Sequence, residues 1–172
     1  MKVEYINPFL DAAMNVIKTM TAIDVQAGKP ALKTNNLTFG DVSGVIGLAG
    51  TNVSGNLVVS FEKNCILKIV NTMLCADYTE LTDDIVDAVG EITNMICGNT
   101  KRDLSALGIS IQMATPMIIR GQNIEISQLS KAPVITIPFK TPNGMFTVDA
   151  NLYTDQKGAE KPAADASGKV PH

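Results

Sequence analysis

Imidazole is almost missing from this 172-residue chain: its one histidine, His172, is the last residue, and tryptophan is absent altogether. Chain ends are usually mobile. A histidine-based catalytic triad or a His-ligated zinc site within the fold is therefore not expected. The three cysteines, Cys65, Cys75 and Cys97, are odd in number, lack CxxC spacing and sit in apolar runs such as Cys65-Ile66-Leu67. They read as buried, reduced thiols of a cytoplasmic protein, and no metal set is expected. No apolar stretch approaches the roughly 20 residues that cross a bilayer. Met1-Lys2-Val3-Glu4-Tyr5 has neither the apolar core nor the cleavage site of a signal peptide, so neither membrane insertion nor export is expected. Basic residues are in the minority, 14 against 17 acidic, with a net charge of −3 and a pI near 5.1. That balance argues against a nucleic-acid partner, which calls for a basic face.

Hydrophobic residues make up 45% of the chain and charged residues 18%, the composition of one globular domain. Residues 1–153 are expected to form that domain. The 154–172 tail is rich in Ala, Lys, Pro, Gly and Asp, has Val170 as its one large apolar residue, and is expected to be disordered. The domain opens with a helix: Asn7 is a candidate cap, Pro8 suits the first turn, and Phe9, Ala12, Ala13, Val16, Ile17 and Met20 recur with helical spacing. A strand is expected within 22–34, then a hairpin through Asn52, and a helix over 62–75 that packs Ile66, Leu67, Ile69, Val70 and Met73. The longest helical pattern runs from Asp83 to about Leu107 with Thr82 as N-cap. Ile109 to Met113 alternates like a strand, and a second hairpin turns at Thr141-Pro142-Asn143-Gly144.

These elements repeat faintly. A helix precedes a hairpin twice, and Leu10-Asp11-Ala12-Ala13-Met14 echoes Val86-Asp87-Ala88-Val89-Gly90. The fold class expected is α/β and two-layered, with long helices on a mostly antiparallel sheet. The echo is too short to decide by itself between a duplicated α-β-β unit and coincidence.

On the long helix, Ile85, Ala88, Val89, Ile92 and Ile96 form one apolar stripe. The opposite side carries Asp83, Asp87, Gly90, Glu91, Asn94, Gly98 and Lys101. Glu91 and Asn94 stand one turn apart there, about 4.5 Å along the axis. Each glycine costs roughly 1 kcal/mol relative to alanine inside a helix. An outward glycine either lets another backbone approach or marks a local bend, and composition does not choose between the two. The Glu-x-x-Asn spacing is weak alone, since chance gives about half a match in this composition. It occurs twice, and in Glu4-Tyr5-Ile6-Asn7 the asparagine reads as a cap.

The run Gly90-Glu91-Ile92-Thr93-Asn94-Met95-Ile96-Cys97-Gly98-Asn99-Thr100-Lys101 resembles the signature helix of the CheC/CheX/FliY phosphatases of bacterial chemotaxis. Gly108-Ile109-Ser110-Ile111, Thr115-Pro116-Met117-Ile118-Ile119, Gly121, Pro133-Val134-Ile135 and Gly144-Met145-Phe146 match in order, and the pattern is nearest to CheX. CheC-type members usually carry Glu-x-x-Asn on both related helices. Here the earlier helix has Asn15 and Lys18 at the corresponding positions, which leaves one intact site. The resemblance implies pseudo-duplicated α-β-β units, a homodimer, and hydrolysis of the aspartyl phosphate of a phosphorylated CheY-like response regulator. In that reaction Asn94 would orient the attacking water and Glu91 would dock to a partner lysine. Gly90, Gly98, Asp87 and Lys101 would flank the contact. No cofactor of its own is implied, and Mg²⁺ would arrive with the response regulator.

The alternative reading is a non-catalytic protein that binds a response regulator or joins a flagellar or chemotaxis assembly. A cysteine nucleophile is a distant third. Cys97 falls at the side of the stripe, half hidden, with no histidine to activate it.

Overall fold

The computed structural model describes residues 1–127 and 130–155. After a 3-10 turn at Val3–Tyr5 come helix α1 (Asn7–Thr21), the short strands β1 (Gln26–Ala27) and β2 (Ala31–Leu32), and the hairpin β3 (Val42–Gly50) and β4 (Val53–Phe61). Helices α2 (Lys63–Leu74) and α3 (Asp83–Ala106) follow, then β5 (Gln112–Met113), β6 (Met117–Arg120) and the hairpin β7 (Val134–Thr141) and β8 (Gly144–Thr154). The strands form one antiparallel sheet in the order β1-β7-β8-β4-β3-β5, with β2 also on β7 and β6 also on β3.

That order shows the duplication. The two hairpins meet through their second strands, β4 against β8. Each outer strand, β3 and β7, then receives two short strands from the other half. Val58 and Asp149 stand equally far from their hairpin turns and pair with each other, so an approximate twofold axis passes between them.

Alternation along the strands separates two faces. Val42, Ile46, Leu57, Val59, Phe61, Ile137, Phe139, Phe146, Val148 and Ala150 join one core with the helices. Phe146 stacks between Phe61 and Phe139 at its centre. The other face carries Ser43, Asn56, Ser60, Thr147, Asp149 and Asn151, all buried, with Asp149 ion-paired to Lys33. Segments 36–38 and 124–126 cover part of it. They are joined by the Leu37↔Glu125 bridge and by Thr38 N–H to Ile124 O and Ile126 N–H to Asn36 O, both 2.8 Å.

Helix ends depart from the sequence expectations. Asn7 lies inside α1 because the preceding 3-10 turn continues into it, leaving Ile6 at the N-cap position. Thr82 occupies the N-cap position of α3, yet its side chain makes no capping bond. The cap of α2 comes from a distance, as the Asp41 carboxylate accepts the Lys63 N–H at 2.7 Å. The strand expected in 22–34 is two two-residue strands, and Ile109–Met113 is strand at Gln112–Met113 alone. Ile109 and Ile111 are buried in the helix core instead. Met20 is exposed at the end of α1. Strand β8 ends at Thr154, and Asp155 N–H still bonds Asn52 O. The expected disordered tail lies beyond that point, outside the described residues.

Helix α3 is the element on which the site depends. Its buried side is Ile85, Val89, Ile92, Thr93, Ile96, Cys97, Thr100 and Leu104. It is wider than the predicted stripe and shifted toward the sheet. Thr93 donates to Val89 O at 2.7 Å and Thr100 to Ile96 O at 2.9 Å, so both buried hydroxyls are satisfied within the helix. Thr93 sits against Gly44 of β3, where an added Cβ would come within 2.9 Å of the Thr93 Cβ. The Thr93 side chain thus takes the space that any side chain at position 44 would need.

The cysteines divide differently from the sequence reading. Cys65 and Cys97 are buried, whereas Cys75 is exposed, because it caps α2 in a left-handed conformation (φ 50°). Burial raises the Cys97 thiol to about 12, with Lys101 acting weakly the other way. Burial raises Cys65 to about 11, opposed by its contact with Thr141.

Two outcomes follow. Gly44→Ala should lower stability by roughly 1–3 kcal/mol in urea denaturation, as overpacking of a tight contact does. In a thiol titration of the native protein Cys75 alone should react, with Cys65 and Cys97 reacting after unfolding.

Candidate functional site

The outer side of α3 is built by what the inner side fixes. With Thr93 locked on Gly44, rotation of the helix is set, and Glu91 and Asn94 point away from the sheet. Glu91 is exposed and Asn94 half-buried. Neither side chain makes a hydrogen bond or ion pair among the described residues, so a carboxylate and a carboxamide one turn apart are both available.

The glycines on this side are not required by the domain's own packing. An added Cβ at Gly98 would meet nothing within 4 Å. Gly90 is less open than its position on the helix suggests, because it lies beside β6. Even so, a Cβ there would make ordinary contact with Ile118, at 3.6 and 3.8 Å. Alanine would fit at both positions and would favour the helix. Between them lie Glu91 and Met95, both exposed, and Asn94, half-buried.

The predicted flanking residues have different situations. Asp87 is exposed and makes no ion pair among the described residues. Lys101 reaches Gln112 of β5 at 3.4 Å. Asp83, at the start of the helix, is ion-paired to Arg120 of β6. The strands β5 and β6 thus run along one flank of α3, held by Lys101–Gln112 at one end and Asp83–Arg120 at the other, with Ile118 on Gly90 between them. This flank was not visible in the sequence. Met117-Ile118-Ile119-Arg120 is a short apolar run without alternation, and nothing local says that it pairs with β3.

Charge divides along the helix. Asp83, Asp84, Asp87 and Glu91 occupy its first half, and Lys101, Arg102 and Asp103 its second, where Arg102 is ion-paired to Asp103. Cys97 is fully buried on the inner side, where the sequence reading had it half hidden. With its thiol near 12 it stays protonated in the physiological range, which removes it as a nucleophile. Among the described residues, no three His, Cys, Asp or Glu side chains stand together as a metal set. No described helix is long and apolar enough to cross a membrane. On α1, Asn15 and Lys18 are exposed at the positions related by the duplication to Glu91 and Asn94.

Comparison with known proteins gives this geometry a context. A family model described as chemotaxis phosphatase CheX matches residues 42–140. CheY-P phosphatase CheX of Thermotoga maritima is 26% identical over 127 residues, which are 73% of this chain and 81% of that protein. The crystal structure of chemotaxis protein CheX from Desulfovibrio desulfuricans has a TM-score of 0.80 and 44% identity, covering 87% of this chain and 99% of that one. A CheX–CheY–BeF₃–Mg²⁺ complex from Borrelia burgdorferi superposes with a TM-score of 0.75 at 28% identity, covering 88% and 99%. Since the family model spans more than half the chain and runs from the start of β3 into β7, across the whole of α3, the protein belongs to the CheX family of chemotaxis phosphatases.

Proposed function

We propose that this protein hydrolyses the aspartyl phosphate of a CheY-type response regulator, with the outer side of α3 as the working surface. The observation that carries the reading is the pair Glu91 and Asn94, unpaired and one turn apart on a helix whose rotation is fixed from behind. The family match and the Borrelia burgdorferi CheX–CheY complex support the choice of partner.

An aspartyl phosphate is an activated acyl phosphate, so its hydrolysis needs no covalent intermediate on the second protein. What the regulator lacks is a positioned water. The Asn94 carboxamide, donor and acceptor at once, holds a water in line with the phosphorus, a task that rests on geometry rather than on proton affinity. Glu91 pairs with a lysine of the regulator in a charge-assisted bond and sets the register of the helix. Gly98 and Gly90 keep side chains out of the gap. Asp87 and Lys101 flank the contact with charges of opposite sign. The Mg²⁺ of the reaction comes with the phosphorylated regulator, a reading that the CheX–CheY–BeF₃–Mg²⁺ complex from Borrelia burgdorferi supports. The protein works in the cytoplasm, as a homodimer, whose mass light scattering would report as twice that of the chain.

Asn94→Ala should return regulator-phosphate decay to its unassisted rate while the fold, followed by circular dichroism, is retained. Glu91→Lys should weaken binding to the phosphorylated regulator by roughly 10- to 100-fold, the worth of a charge-assisted bond. Gly98→Leu fills open space in the free protein. It should leave stability within about 1 kcal/mol and yet abolish the complex. Decay at the unassisted rate with the wild-type protein bound would identify a non-catalytic binder instead.

A further inference from the structure

The face of the sheet turned away from the helices holds a second candidate site. A cavity of about 340 Å³ lies beneath the 124–126 segment. Its apolar walls are Val45 of β3, Met117 and Ile119 of β6, and Ile126, with Asn56 of β4 among its lining. Asn56 is 3% exposed, and its Oδ1 is buried with no hydrogen-bond partner. Its amide nitrogen likewise has no partner among the described residues. A buried amide left unpaired has lost its water without gaining a partner, which is unfavourable. Its neighbour across the ladder, Asn151, is by contrast fully engaged, donating to Ala132 O and accepting from Ser130. Thr147 Oγ1 and Asp149 Oδ1 are buried without a partner too, but of the three residues Asn56 is the one that lines the cavity.

We propose that this cavity binds a small, uncharged planar molecule with a hydrogen-bond donor and acceptor side by side on one edge, as in a free nucleobase or an aromatic amide. Its edge pairs with both atoms of the Asn56 carboxamide, the way asparagine reads a base edge. Its flat body fills the slot between Val45, Met117, Ile119 and Ile126, and the cavity is of the size that such ligands take. Glu125 at the rim disfavours an anion. Segment 124–126, at the edge of the cavity, is tied to 36–38 by the Leu37↔Glu125 bridge and two backbone hydrogen bonds.

The cavity is also one side chain away from α3. Met117 and Ile119 of β6 face the ligand, while Ile118 between them faces Gly90. Four residues long and paired only to β3 among the described residues, β6 is the element through which occupancy reaches the helix that carries Glu91 and Asn94.

The experiment is a heteronuclear NMR titration of the full chain with adenine, benzamide and benzoate. Adenine or benzamide should shift the Asn56 side-chain amide and the backbone amides of Val45, Ile118 and Gly90, with benzoate at least tenfold weaker. Asn56→Leu should weaken binding at least tenfold. Met117→Trp, at an exposed position that tolerates bulk, should block it while retaining the native spectrum. No shift with adenine or benzamide, equal binding of benzoate, or undiminished binding by both variants would overturn the site. Shifts that spare Ile118 and Gly90 would overturn its link to α3. Saturation by adenine alone would identify a nucleobase site, and by benzamide alone an amide site.

Discussion

The contact of Thr93 with Gly44 is the constraint on which the rest depends. A helix on a sheet can roll until side chains stop it, and most apolar contacts would tolerate several degrees of roll. Here a β-branched residue meets a backbone with no Cβ, and its hydroxyl is already committed to Val89 O. The helix is held both in height above the sheet and in rotation. Glu91 and Asn94 lie on either side of Thr93 in sequence, so the geometry of the outer surface is inherited from the inner one. A surface that must hold a water to within a fraction of an ångström is better fixed from behind than by bonds of its own, which a partner would have to break.

The same fold contains the site's relative. Helices α1 and α3 are related by the duplication, yet α1 presents Asn15 and Lys18 where α3 presents Glu91 and Asn94. Duplication provides two equivalent helix faces over one sheet, and divergence at two positions leaves one of them with the carboxylate and carboxamide. The sheet is shared by both halves, since each lends its short strands to the other. Neither half has a closed sheet by itself, and this explains why a faint sequence echo can coexist with a pronounced structural one: what is retained is pairing and burial, not side-chain identity.

How much of this was legible in the sequence depends on how local each signal is. The bounds of α3 were readable because Asp83, Asp84 and a regular apolar stripe are local features, and the hairpins because turn residues punctuate alternating runs. The face bearing Glu91 and Asn94 followed from helical periodicity. The closest contact did not, because Thr93 is polar and its burial depends on Gly44, nearly fifty residues earlier. Cys75 was misjudged for a similar reason. Its apolar neighbours suggest burial, but the left-handed turn that ends α2 swings it into solvent. The edge strands β1, β2, β5 and β6 are two to four residues long and gain their identity from pairing with distant strands. No local pattern could have revealed the Ile118 contact with Gly90 or the Asp83–Arg120 pair.

The twofold relation has a consequence at its own axis. Whatever residue one half places there, a perfectly repeated chain would place twice, directly opposed across the β4–β8 ladder: two valines, or two carboxylates that would repel each other in a buried setting. Here the positions are Val58 and Asp149, and Lys33 neutralises the single charge. Such an arrangement is open only to halves joined in one chain and free to differ. Symmetry built the sheet, and breaking it at the centre allowed a charged group to be buried where an assembly of identical halves would have to remain neutral.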